Sequence, residues 1–240
     1  KVAEVGGEAL VLPAEFWDTR GERGHLVVRN ENAVGPVDIL VNSAATNGYK
    51  PLEQWSLEDL DFLMQVNVWA PWELMKAVLP GMRQRRRGWI VNLTSFAGEL
   101  PPGPPFPTGP PSKAGAGYGM SKAALNRVTV AAASETEGQG VAVNALTPQA
   151  AIATRSLVAG GWVAERWFEP LETMAEAALA LCTGDPAKLT GRIAYSLQLL
   201  LELERPVRDL AGRELVPGWQ PHDLPAHLER QLAAHAESGL

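Results

Sequence analysis

Tyr118 and Lys122 stand four residues apart in a stretch, residues 118–137, where Leu125, Val128 and Ala132 recur at helical spacing. One helical turn separates them, so phenol and ammonium share a face, and a positive charge beside a phenol favours the phenolate. A phenol that ordinarily titrates near about 10 would then give and take a proton closer to neutrality, as a general acid and base must. The spacing alone is not specific, because any helix bearing a tyrosine can show it. Three further polar residues lie where apolar runs end: Asn42, Ser95 and Thr147. In parallel α/β sheets the crevice that takes a ligand lies outside the carboxyl ends of the strands, so these three residues mark a candidate site.

The elements that must position these groups are legible as short apolar runs alternating with helical patterns. Residues 8–13, 37–42, 89–94, 141–146 and 191–196 are brief, rich in Val, Ile and Leu, and bounded by Gly, Pro, Asn or Ser, which predicts buried strands. Between the first two, residues 18–36 hold Gly21, Gly24 and Gly35 and keep Leu26, Val27 and Val28 in one block, which predicts a short or frayed helix. Ser56 opens a Ser-Leu-Glu-Asp capping box, followed by Leu57, Leu60, Met64 and Val68 on one face. Pro71 is expected to break or restart that helix, with residues 72–87 as its continuation. Residues 171–182 predict one more helix. Residues 101–111, nine of which are Pro or Gly, must be an extended loop. The alternation implies an α/β fold, an open parallel sheet covered on both faces in three layers.

Four segments follow one another in order: Asn42-Ser43-Ala44-Ala45 after a strand, Val66-Asn67 inside a helix, residues 91–98 ending the next strand at Ser95, and Tyr118-Gly119-Met120-Ser121-Lys122 opening the next helix. This order resembles the short-chain dehydrogenase/reductase family over residues 7–200. The resemblance implies a Rossmann-like, doubly wound parallel sheet and an NAD- or NADP-dependent oxidoreductase interconverting a secondary alcohol and a ketone. It assigns catalysis to Asn67, Ser95, Tyr118 and Lys122. Tyr118 would move the proton, and Lys122 would lower its pKa and hold the nicotinamide ribose. Ser95 would bond the substrate oxygen, and Asn67 would hold a water that resupplies the proton. It further implies cofactor contacts at Asn42, Ala44, Ile152 and Thr154, besides Tyr118 and Lys122. Glu15 falls where the family often has an adenine-binding acid, and an exposed acid is the equal alternative there. Gln149 stands where the family usually has glycine.

The departure is at the front. The Gly-rich turn that admits a dinucleotide diphosphate to a helix N-terminus has no counterpart, since Gly6-Gly7 precedes an apolar run instead of following one. A βαβ unit takes about 30 residues. The pattern therefore implies an N-terminally truncated domain over 1–200, with its first βαβ unit ahead of Lys1, and a C-terminal extension over 201–240. A non-catalytic homologue unable to bind dinucleotide is the alternative function.

Composition sets the remaining bounds. Of 240 residues, 21 are basic and 27 acidic, a net charge of −6 that argues against a nucleic-acid partner. Arg83, Arg85, Arg86 and Arg87 accordingly read as a solvated turn. One cysteine, Cys182, excludes an internal disulfide, reads as a buried small hydrophobe and fits a reducing, cytoplasmic setting. No apolar run is long enough for a membrane span. His25, His222, His227 and His235 lack metal-ligand spacing, so no metal is expected. The family associates through its two long helices, here about residues 56–87 and 118–137, which implies a homodimer or homotetramer. Residues 155–170, with Trp162, Trp167 and Phe168, are expected to cover an apolar substrate.

Overall fold

Ile90 and Val91 are successive residues of one strand and both are fully buried, which requires cover on both faces of the sheet. The computed structural model describes residues 2, 6–18, 20–101, 103–106, 115–160, 164 and 167–238. Four parallel strands form the central sheet: β1 (Ile39–Asn42), β2 (Gly88–Leu93), β3 (Val141–Thr147) and β6 (Ile193–Tyr195), in the order β1-β2-β3-β6. A short parallel pair, β4 (Ala151–Ile152) with β5 (Phe168–Glu169), stands beside it. Ile90, Val143 and Val141 face one core with Met75, Val78 and Met82 of α3 (Ala70–Arg85), Ala132 and Ala133 of α4 (Ala116–Glu135), and Val27 of α1 (Gly24–Val34). Val91 and Leu146 face the other core, beneath α6 (Leu171–Thr183) and α7 (Ser196–Glu202). The result is a three-layer Rossmann-like α/β fold.

Ser56 caps α2 (Leu57–Met64) as its sequence predicts: its hydroxyl accepts from the Asp59 amide at 3.1 Å, and the Asp59 carboxylate accepts from the Ser56 amide at 3.3 Å. Pro71 does not break the chain. A π-helical turn, Gln65–Trp69, joins α2 to α3, and Pro71 sits in the first turn of α3, where its missing N–H costs least.

Residues 8–13 are not a strand. They run as exposed coil, with Leu10 and Val11 open to solvent, because no neighbouring strand among the described residues pairs with them. A lone apolar run gains nothing from extending when its N–H and C=O groups must still turn to water. The arginines after α3 are not simply solvated either. Arg85 donates to the Val37 carbonyl at 2.7 Å and Arg86 to that of Gly138 at 2.9 Å, stapling the amino ends of the strands.

The described part of residues 201–240 packs back on the second core, where Val207 and Leu224 are fully buried. His227 stacks on Trp219 at 3.7 Å and both its ring nitrogens are engaged, by the Gly218 carbonyl and by Arg230, which suits a structural role. Cys182 is buried, and burial pushes its thiol up to about 11. Among the described residues no helix is long and apolar enough to cross a membrane, and no group of His, Cys, Asp or Glu could hold a metal ion.

Candidate active site

Strand β2 ends at Leu93, and the next residues deliver Ser95 in extended conformation at the mouth of the sheet. A single turn of 3-10 helix, Phe96–Gly98, follows, and the Ser95 hydroxyl accepts from the Ala97 amide at 3.2 Å. Helix α4 crosses this turn at unusually close range. A Cβ on Gly119 would lie 2.6 Å from the Ala97 carbonyl oxygen, and one on Gly98 would lie 2.9 Å from the Lys122 backbone. Only glycine at both places allows that approach, which brings Tyr118 beside Ser95. The Ser95 hydroxyl lies near enough to the Tyr118 phenol to pull its pKa down.

Lys122 lies on the same face of α4, its Nζ 5.8 Å from the centroid of the Tyr118 ring. The ammonium donates to the Leu93 carbonyl at 2.9 Å, and burial lowers its pKa to about 8. The expected lowering of the tyrosine pKa is not found here. Burial holds the Tyr118 phenol above its ordinary value, the Ser95 hydroxyl offsets this in part, and the neighbouring Tyr49 adds to it. The physical reason is that a buried phenolate loses its hydration, while Lys122 is itself buried and turned to Leu93.

Linkage gives this lysine a measurable signature. Its folded pKa is below its unfolded value, so between pH 8 and 10.5 the unfolded chain binds more protons and stability rises with pH. Urea midpoints of the wild type relative to Lys122→Met are expected to gain about 2 kcal/mol between pH 8 and 9.5. Parallel pH curves for the two proteins would contradict the assignment.

Asn67 lies in the π-turn and is buried, but its side chain is fully spent within the protein. Its Oδ1 accepts from the Thr46 amide at 2.9 Å, and its Nδ2 donates to the Thr46 carbonyl at 2.8 Å and to the Ser121 hydroxyl at 3.0 Å. It thus clamps the segment after β1 to α4 instead of offering its carboxamide to a water. In α-helical register its backbone carbonyl would face Pro71, which has no N–H to give. Asn67→Ala strands both Thr46 groups and is expected to cost about 2 kcal/mol, measured by urea unfolding. Asn67→Asp keeps only the acceptor and should fall between the two; equal stability of all three proteins would exclude the clamp.

Asn42 also turns inward, its Nδ2 donating to Asn92 Oδ1 at 2.7 Å, while Asn92 donates to the Thr129 hydroxyl at 2.8 Å. This ladder ties the ends of β1 and β2 to α4, so Asn42 braces the site. Ala44 is exposed on the segment that follows. Tyr49, at the end of that segment, sets its ring 5.8 Å from that of Tyr118 at 59°. Ile152 is half-buried in β4, and the Thr154 hydroxyl accepts from the Leu157 amide at 3.4 Å at the start of α5 (Arg155–Gly160). These two are at the mouth of β3, on the same side of the sheet as Ser95. Glu15 is remote in kind: it accepts from the Trp17 indole at 2.7 Å in exposed coil, not at a strand end. Trp167 and Phe168 are half-buried, whereas Trp162 and residues 107–114 of the Pro-rich loop lie outside the described residues.

The structure adds residues that sequence reading passed over: Thr46, Tyr49, Asn92, Ser121 and Arg23. The signal for Asn92 was present, since an asparagine inside Val, Ile and Leu must be buried and must find partners. Two buried polar atoms at the carboxyl edge of the sheet find none, Thr94 Oγ1 after β2 and Gln149 Oε1 after β3.

Comparison with known proteins agrees with this arrangement. The profile of the family described as short chain dehydrogenase matches residues 1–158. Ketoacyl reductase HetN of Nostoc sp. is 31% identical over 147 residues, 61% of this chain and 47% of that protein. Gluconate 5-dehydrogenase of Gluconobacter oxydans is 32% identical over 164 residues, 68% of this chain and 55% of that protein. The chain spans about half the length of the curated relatives it matches. Among solved structures, a 3-oxoacyl (acyl-carrier-protein) reductase from Agrobacterium tumefaciens with NADP bound superposes with a TM-score of 0.66 at 26% identity, covering 79% of this chain and 74% of the other. The matched residues include the whole site from Asn42 to Thr154, and with them the chain belongs to the short chain dehydrogenase family.

Proposed function

We propose that the protein is an NAD(P)-dependent oxidoreductase that interconverts a secondary alcohol and a ketone. The observation that carries this reading is the Ser95–Tyr118–Lys122 arrangement at the carboxyl end of β2, held there by the close approach at Gly98 and Gly119. The NADP-bound relatives and the ketoacyl and gluconate names of others support it.

The residues present fit the nicotinamide end of such a cofactor. Thr94 Oγ1 and Gln149 Oε1 are buried polar atoms awaiting partners, and Lys122 can exchange the Leu93 carbonyl for ribose hydroxyls. For the diphosphate the 240 residues hold no Gly-rich turn. When bound, the nicotinamide supplies or accepts the hydride. Tyr118 donates its proton to the carbonyl oxygen in reduction and takes it back from the alcohol in oxidation. Ser95 donates a hydrogen bond to the same oxygen and so favours the charge that develops on it. The Asn67 carbonyl is the acceptor for a water that returns the proton through Lys122. Tyr49 presents its ring beside Tyr118 at the mouth, which suits an apolar substrate.

Titrating the chain with NADPH is the direct test. Saturable quenching of tryptophan fluorescence with enhancement of the nicotinamide emission is expected, and ketone-dependent NADPH oxidation should follow. NADPH that leaves both emissions unchanged would favour the non-catalytic reading. Association into a dimer or tetramer fits the outer faces of the π-turn, α3 and α4, where Trp69, Trp72, Met120 and Val130 are exposed. A reducing, cytoplasmic setting fits the single buried thiol.

A further inference from the structure

Glu169 is a completely buried carboxylic acid that the proposed chemistry does not use. It ends β5 and pairs with Ile152 of β4, so its side chain lies under the segment that leaves β3 for the mouth of the site. Three groups meet it. Ser196 Oγ is 2.9 Å from both carboxyl oxygens, the Ala150 amide donates to Oε1 at 3.3 Å, and Thr173 Oγ1 is 3.1 Å from Oε2. The Ser196 hydroxyl in turn accepts from the Gln149 amide at 2.9 Å.

Counting protons decides which form of the acid this geometry suits. Ser196 has one hydrogen to give and the Ala150 amide another. The hydrogen of Thr173 has a nearer acceptor, the Pro170 carbonyl at 2.7 Å, which cannot itself donate. With that hydrogen so placed, the contact between Oε2 and Thr173 Oγ1 is a hydrogen bond only if the carboxyl group supplies the proton. Among the described residues no cation is paired with this carboxyl group. The facing groups are two amides from the loop, the Thr173 hydroxyl from α6 and the Ser196 hydroxyl from α7. The other buried carboxylate of α6, Glu176, is bound to Arg205 at 2.9 Å.

We propose that Glu169 is a positioning residue whose protonated carboxyl group latches residues 149–152 through Ser196 and Thr173, and that loss of this proton loosens the segment. Burial pushes the Glu169 pKa up to about 7, which places the change within the physiological range. The sign follows from the raised value: the latch is complete below the ordinary carboxylate range and is lost as pH rises through about 7. The importance of this for catalysis rests on the proposed function, because Gln149, Ile152 and Thr154 belong to the segment assigned to the cofactor. Existence of the latch does not rest on it.

Amide hydrogen exchange of the full chain, read by mass spectrometry between pH 5.5 and 8.5 and corrected for intrinsic rates, tests the latch. Peptides covering residues 149–153 are expected to lose protection about tenfold or more across pH 6–8, consistent with a shift of one pKa unit or more. In Glu169→Gln, whose carboxamide keeps a donor toward Thr173, protection should be high and independent of pH. Ser196→Ala removes the link to Gln149 and should be poorly protected at every pH while β2 and β3 stay protected. Protection that is flat with pH in the wild type, or an unchanged slope in Glu169→Gln or Ser196→Ala, overturns the proposal. NADPH affinity measured alongside separates the two readings: a pH-dependent latch without NADPH binding keeps the latch and rejects the cofactor assignment.

Discussion

Tyr118→Phe is expected to lower turnover by about 10²- to 10⁴-fold, the range that a positioned general acid and base supplies. The substitution removes one oxygen and leaves the ring against Tyr49 and the helix against the Ala97 turn. Among the described residues the influence tied to that oxygen is the one from Ser95. NADPH binding should therefore change little, and the thermal midpoint should move by no more than one lost hydrogen bond, about 1 kcal/mol. Steady-state rates of NADPH oxidation with a ketone, set beside NADPH titrations of the same variant, check both halves. Undiminished turnover would remove Tyr118 from the chemistry, and loss of binding and rate together would make it a cofactor ligand instead.

The second large effect is on stability and lies at Arg23. Its guanidinium is fully buried: one nitrogen meets Glu73 Oε1 at 2.6 Å, another meets Gln65 Oε1 at 2.7 Å, and Nε donates to the Phe16 carbonyl at 2.9 Å. One cation thereby ties the N-terminal coil and α1 to α3 and to the π-turn that carries Asn67. Arg23→Leu leaves the Glu73 carboxylate with only the Gly21 and Arg23 amides and takes the guanidinium from the Phe16 carbonyl and Gln65 Oε1, and is expected to cost about 3 kcal/mol. Arg23→Leu combined with Glu73→Leu should recover part of that loss, because no unpaired charge then remains. Urea unfolding of the three variants against the wild type measures it. A cost below about 1 kcal/mol for Arg23→Leu would mean that the guanidinium does not anchor the segment.

Much of the fold was readable because the forces involved are local. The apolar runs at 37–42, 89–94, 141–146 and 191–196 correspond to β1, β2, β3 and β6 within a residue or two, since buried parallel strands must be continuous and short. The Ser56 box forms because its partners are three residues apart. Residues 8–13 have the same composition yet remain coil, because a strand is a property of two segments and the second is not among the described residues. Pro71 was misleading for a related reason: a π-turn absorbed the missing N–H, and that turn is stabilised by Asn67, Ser121 and Thr46 from three separate elements. The short β4–β5 pair and α7 were not legible, being too brief to show a period.

For the site, sequence order alone determined which residue types are brought to the carboxyl edge of the sheet: Asn67, Ser95, Tyr118 and Lys122, each carried by an element whose pattern is local. Their electrostatics were decided only by tertiary structure. Lys122 is lowered and Tyr118 raised because both lost water, and the Asn67 carboxamide clamps Thr46 to Ser121. Arg23 and Glu169 carry no local signal at all. A charged residue reads as surface in a sequence, and only the distant segments that close over it, Phe16, Gln65 and Glu73 for the one and Ala150, Thr173 and Ser196 for the other, take away the solvent and so determine what its proton and its charge can do.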